Sequence, residues 1–247
     1  MAACSAPPRR SLVLSCEHGG PRVPAAWAAV FAGRERSLAS HRGFDPGALE
    51  VARRLARALG APLLASQVTR LLVDPNRSLH HPRLFSSATR QLPPEELARI
   101  LARHYHPHRR AVARAVARRR SVLHVAVHSF TPVLAGRRRA IDVGLLYDPA
   151  RPAEAALCQR WKALLVALDP GLRVARNRPY RGRSDGLATA LRRRFPEARY
   201  TGVELELSQA LLRRPRSRAH VADLVAESLT RLLQHPGPGR PSRRASP

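Results

Sequence analysis

Val122-Leu123-His124-Val125-Ala126-Val127-His128-Ser129-Phe130-Thr131-Pro132 is the stretch on which the fold turns. Residues 122–127 are a short apolar, β-branched block that follows an arginine-rich helical pattern and stops before Pro132, which predicts a buried strand. A histidine where such a strand ends sits on the rim of an α/β sheet, the edge at which ligands bind. A single histidine in that position is more often structural than ligating. This one gains weight because other strands in the chain also finish in His, Asp, Glu, Asn or Arg.

Working outward, strands and helices alternate. Ser11 to Ser15 is a short apolar strand, and Gly47 to Leu59 carries apolar residues at helical spacing, closed by Gly60. Pro62 to Val73 holds one or two strands. Glu95 to Arg120 is helical, with Pro107 interrupting it. Ile141 to Tyr147 predicts a strand, Ala153 to Leu168 a helix with Leu157, Trp161, Leu164, Leu165 and Leu168 on one face. Leu187 to Phe195 is a short helix, Tyr200 to Leu207 a strand, and Ala219 to Leu233 a closing amphipathic helix. The alternation predicts a three-layer α/β domain over residues 11–234. Residues 1–10 are expected to be flexible. Residues 235–247, rich in Pro, Gly, Ser and Arg, are expected to form a disordered basic tail.

Composition limits the function classes. A chain of 247 residues, 44% hydrophobic, has material for one sizeable core. No apolar run reaches the roughly 18–20 residues that span a bilayer, and residues 1–10 lack the apolar core of a secretory signal. Cys4, Cys16 and Cys158 are scattered, which fits a reduced, cytoplasmic setting. The formal charge of +27 points toward nucleic acid, yet Lys162 is the only lysine and no stacking aromatics interleave with the arginines. Solvated basic faces are therefore the favoured reading over a dedicated nucleic-acid surface, with nonspecific polyanion binding expected only at low salt. No specific nucleic-acid partner and no membrane association are expected, and the oligomeric state is left open.

The polar strand ends carry the chemistry. Strand one runs into Cys16-Glu17-His18-Gly19-Gly20. His41-Arg42-Gly43-Phe44-Asp45-Pro46-Gly47 places Asp45 just before a helix, where it would serve equally as an N-cap. Thr69-Arg70 and Asp74-Pro75-Asn76-Arg77 combine an acid, an amide and guanidinium groups; the latter segment is either a plain turn or a grip for a substrate carboxylate. Glu204 and Glu206 lie two residues apart on one strand, hence on one face. Two histidines, a carboxylate and a further strand-borne Glu are the components of a hydrolytic zinc site, in which the metal acidifies water and polarises a carbonyl while the Glu takes the proton.

In their order and spacing, these segments resemble the N-formylglutamate amidohydrolase family. They are Cys16-Glu17-His18 with Pro24, His41 through Gly47, Thr69-Arg70, Asp74 through Arg77, Val127 through Pro132, Asp142 through Tyr147, Asn177 with Pro179-Tyr180, and Gly202 through Glu206. The resemblance implies a zinc carboxypeptidase-like α/β/α sandwich with a mixed central sheet. It implies His18 and His128 as metal ligands and Glu206 as the catalytic carboxylate. Carboxypeptidases take their third ligand from His-x-x-Glu, but Pro21 occupies that place, so Asp45 is the best substitute, with Glu17 and His41 behind it. Arg70, Asn76 and Arg77 would hold substrate carboxylates, and Tyr180 or Arg181 would close over the ligand.

The expected function is metal-dependent hydrolysis, with zinc or another divalent ion, of the N-acyl amide of a small acidic amino-acid derivative such as N-formylglutamate. Two alternatives stand beside it. One is a related amidase for another acyl group or a peptide; the other is a non-catalytic, basic nucleic-acid-associated protein on the same scaffold.

Overall fold

The structure, a computed structural model, describes residues 11–234. The expectations for residues 1–10 and 235–247 lie outside the described residues. In chain order the strands are β1 (Ser11–Cys16), β2 (Leu63–Ala65), β3 (Val122–Phe130), β4 (Val133–Leu134), β5 (Arg137–Arg138), β6 (Val143–Leu146), β7 (Val174–Arg176) and β8 (Tyr200–Ser208). The α-helices are α1 (Glu35–Leu38), α2 (Ala48–Leu59), α3 (Pro94–Ile100), α4 (His106–Ala117), α5 (Pro152–Leu168), α6 (Leu187–Arg194), α7 (Gln209–Leu212) and α8 (Pro215–Gln234). Six strands make one sheet in the order β2-β1-β3-β8-β6-β7, and β4 pairs with β5 in a small hairpin.

The sheet is mixed, as the family resemblance implies. Strands β2, β1, β3 and β8 are parallel, whereas β6 runs antiparallel to β8 and carries β7 parallel to itself. Register decides what each face presents. On one face Leu12 and Leu14 pair with Leu123 and Val125, Val125 and Val127 pair with Val203 and Leu205, and Cys16 and Leu207 extend the same apolar surface; all pack against α2, α5 and α8. The other face carries Ser15, His124, His128, Glu204 and Glu206, and a smaller apolar cluster from α4 and α6 covers part of it. Helices on both faces make the three layers. The polar residues thus share one face of an otherwise apolar sheet, a division that strand alternation imposes.

Several elements differ in extent from the sequence reading. β3 continues through His128 to Phe130, because its pairing with β8 persists to Ser129↔Leu207 and Phe130↔Ser208. Between Pro62 and Val73 only β2 is a strand; Val68 adds a lone bridge to Arg22. The expected break at Pro107 takes the form of a π-helical stretch, Leu101–Tyr105, after which Pro107 falls in the first turn of α4. There its missing N–H costs no helical hydrogen bond. Gly60 ends α2 in the left-handed region at φ 58°.

Candidate active site

Glu17 and His18 follow directly on β1, and a hydrogen bond from Asp45 N to His18 O (2.8 Å) draws the segment before α2 against them. Thr69 Oγ1 and Arg70 N both donate to Gly43 O, which fixes that segment from its other side. The N-cap of α2 is Gly47, with no side-chain cap. The carboxylate of Asp45 therefore caps nothing and faces the histidines.

The result is a buried cluster in which His18, Asp45 and His128 each offer a ligand atom within 4.8 Å of the others. Asp45 Oδ2 lies 3.0 Å from His128 Nδ1 and 3.4 Å from His18 Nδ1. The far nitrogen of each imidazole meets a carboxylate: His18 Nε2 is 2.7 Å from Asp74 Oδ1, and His128 Nε2 is 3.0 Å from Glu17 Oε2. Glu17 Oε1 in turn lies 3.5 Å from His108 Nε2 on α4. Arg70 donates from its guanidinium to Asp45 Oδ1. His18 Nδ1 is buried and has no hydrogen-bond partner. Two imidazole Nδ1 atoms and one carboxylate oxygen, each imidazole oriented by an acid behind it, form a donor set that suits a zinc-like cation.

Electrostatics follow from this crowding. Burial and the Arg70 charge push the His18 pKa down to about 4, against the pull of Asp74. Burial acts in the same direction on His128, but the carboxylates of Glu17, Glu206 and Glu204 overcome it and raise the value to about 9. Glu17 and Asp74 lie below the usual carboxylate range: their histidine partners, with Arg70 and Arg77 beside Asp74, outweigh the opposing effect of burial. The negative charge that holds a proton on His128 would equally attract a divalent cation.

Glu206 is the register partner of His128 across β3 and β8, so the two side chains rise from the same face side by side. Its Oε2 is buried and unpartnered, and burial, helped by Glu204, raises its carboxyl pKa against the pull of His128 and Arg70. On the antiparallel side its neighbour is Gly144. A Cβ at Gly144 would lie 2.2 Å from Arg178 O, so only glycine lets the loop after β7 cross directly over this position.

The other site residues expected from the sequence are spread around this core. Asn76 Oδ1 accepts from Leu187 N at the start of α6 (2.7 Å), and its own N–H donates to Asp74 Oδ1 (2.9 Å). Arg77 donates to Asp185 O (2.9 Å) and keeps its Nε without a hydrogen-bond partner, 3.8 Å from Asp74 Oδ2. Tyr180 is exposed and accepts from Arg139, whose guanidinium stacks 5.0 Å from its ring centre. Arg181 is exposed on the same loop. His41 is exposed and stands outside the His18–Asp45–His128 group. The sequence reading missed Asp74 and His108 as members of the cluster, and offered Glu17 as a ligand, whereas here it backs His128. Spacing carries no signal for such pairings: 56 residues separate His18 from Asp74, and 91 separate Glu17 from His108.

The chain is a hydrolase acting on amide bonds, as its family shows. Residues 10–213 match the N-formylglutamate amidohydrolase family, and the chain belongs to that family. It is similar to the gene product Atu2144 from Agrobacterium tumefaciens, with 28% identity, a TM-score of 0.78 and coverage of 92% of this chain and 91% of that one. It also shares the fold of N-formylglutamate amidohydrolase from Ralstonia eutropha JMP134, at 22% identity, a TM-score of 0.67 and coverage of 93% and 95%. No curated protein sequence matches it. No helix among the described residues is long and apolar enough to cross a membrane.

Proposed function

We propose that this chain is a metal-dependent amidohydrolase, with zinc as its cation, that cleaves the N-formyl or a similar N-acyl amide of a small acidic amino acid. N-Formylglutamate, giving formate and glutamate, is the representative substrate. The observation that carries the reading is the buried, unpartnered His18 Nδ1, set beside Asp45 Oδ2 and His128 Nδ1 with a carboxylate behind each ring. His18, Asp45 and His128 would hold the cation. When bound, such a cation acidifies water and polarises the amide carbonyl.

The chain's own groups supply the rest. Glu206 Oε2 takes a proton from the attacking water and passes it to the amide nitrogen as the C–N bond breaks, which suits a carboxyl whose pKa is already raised. Arg77 and Asn76, with the free donors of Arg70, receive the substrate carboxylates. Tyr180 and Arg181, on the loop that crosses above Gly144, would close over the bound substrate and limit water. The partner is then a small N-acyl amino acid handled in the cytoplasm, with the basic surface peripheral to the reaction.

Metal analysis of the purified chain beside a screen of N-acyl amino acids tests this. About one zinc-like ion per chain and turnover of N-formylglutamate are expected. A metal-replete chain that turns over no acylated amino acid overturns the proposal.

A further inference from the structure

One cavity lies away from the histidine cluster, none of whose residues line it. It has a volume of ≈390 Å³ and opens between α4 and α6. Its floor is apolar: Ala113, Leu187 and Leu191 belong to the smaller core cluster, and Ala190 and the 46% exposed Leu79 continue that surface outward. Its rim is cationic, with Arg109 and Arg110 on α4 and Arg194 on α6; His80 and His106 also line it, and no carboxylate among the described residues does.

One wall is held in place by bonds to the chain behind it. Tyr105 donates to Arg77 O (2.8 Å), and Arg109 donates to Pro75 O and Arg77 O (2.9 and 3.3 Å). The charges of Arg110 and Arg194 remain available. Both are exposed, and neither has a carboxylate partner among the described residues; Arg194 only stacks 5.5 Å from the Phe195 ring centre. Arginine is abundant over the whole surface, so charge alone distinguishes nothing. What distinguishes this place is two unpaired guanidiniums above a concave apolar floor of the size small-molecule sites have.

We propose that this cavity is a second binding site, separate from the hydrolytic cluster, for a small carboxylate with an apolar ring or chain. The apolar body would seat against Leu79, Leu187 and Leu191, where its burial is favourable. The carboxylate would lie between Arg110 and Arg194, whose planar forks suit its two oxygens. A carboxylate without an apolar body would gain nothing from the floor, and a neutral apolar molecule would leave the guanidiniums unanswered.

Isothermal titration of the full chain with 2-naphthoate at 0.15 M salt tests the site, with 2-naphthylmethanol as the neutral control. Saturable binding of one naphthoate per chain is expected, with the alcohol much weaker. The double variant Arg110→Glu/Arg194→Glu should weaken naphthoate by about tenfold or more, and Ala190→Trp should block it by filling the floor. Both arginines are exposed, so the charge variant keeps the test decisive even if the tryptophan disturbs folding. Equal affinity for acid and alcohol, or naphthoate affinity unchanged in the charge variant, overturns the proposal.

Discussion

At the scale of the residue, variants of Glu206 and Asp74 would separate the chemistry of the proposed reaction from metal holding. Glu206 touches no other polar group through Oε2 and stands beside His128 across the sheet. Glu206→Gln should therefore retain bound metal and lose about 10²–10⁴ in kcat, the range for removal of a general base. Metal analysis and steady-state kinetics on one preparation check both halves; an equal loss for Glu204→Gln with Glu206→Gln active would move the role to the neighbouring acid. Asp74 acts at one remove, through its 2.7 Å contact with His18 Nε2. Asp74→Asn should weaken metal affinity by about 10–100-fold, the usual cost of losing such a partner, which a competition titration with a chelator would read. That His18, Asp45 and His128 come together, with Glu206 beside His128, was legible in the sequence because each lies on or next to a strand or in a recognisable segment. Asp74's part was not, because the reading of Asp74-Pro75-Asn76-Arg77 as a turn is correct in itself. Asn76 N does donate to Asp74 Oδ1, and that same oxygen also reaches His18, which no local pattern encodes.

At the scale of the element, hydrophobic pattern located the long helices and the central strands, because their apolar faces repeat over many residues. β7 escaped, since three residues, Val174-Ala175-Arg176, are too few to show alternation and owe their conformation to edge pairing with β6. The hairpin β4–β5 escaped for the same reason, with two residues in each strand. The end of β3 was underread because His128 and Ser129 interrupt the apolar run; pairing with Glu206 and Leu207 holds them in the sheet. These edge elements matter to the site, because the loop after β7 passes over Gly144 beside Glu206. Gly144→Ala should force its new methyl into Arg178 O, 2.2 Å away, and press on Glu206 Cβ at 3.2 Å. Overpacking of this kind costs about 1–3 kcal/mol. Urea unfolding should show that loss, together with reduced kcat as Glu206 shifts. Full stability and full activity in the variant would mean that the loop yields freely and does not position the acid.

At the scale of the whole molecule, a chain of net charge +27 keeps several of its few acids inside. Glu17, Asp45, Asp74, Glu154 and Glu206 are all buried. The positive charge is thereby left to the exterior, while the buried carboxylates would favour a cation inside. The same polar face of the sheet should govern acid stability through His124. This side chain is fully buried, with Nε2 2.7 Å from Ser15 Oγ and Nδ1 2.8 Å from Tyr200 Oη. Burial, together with the charge of Arg192, lowers its pKa to about 4 from an ordinary 6.5, despite the opposing pull of Glu17. Between those two values the unfolded chain binds a proton that the folded chain refuses, so stability rises with pH across that window and is lost as pH falls through it. The shift corresponds to about 3 kcal/mol when the whole window is crossed. His124→Gln removes the titration, although it weakens the hydrogen-bonded network at neutral pH. Urea unfolding at pH 7 and pH 4.5 should then show the parent losing more stability on acidification than the variant does, with the two curves converging toward the acid end. Parallel losses in both proteins would mean that His124 accepts its proton without cost in the folded state, and that the acid limb belongs to other groups.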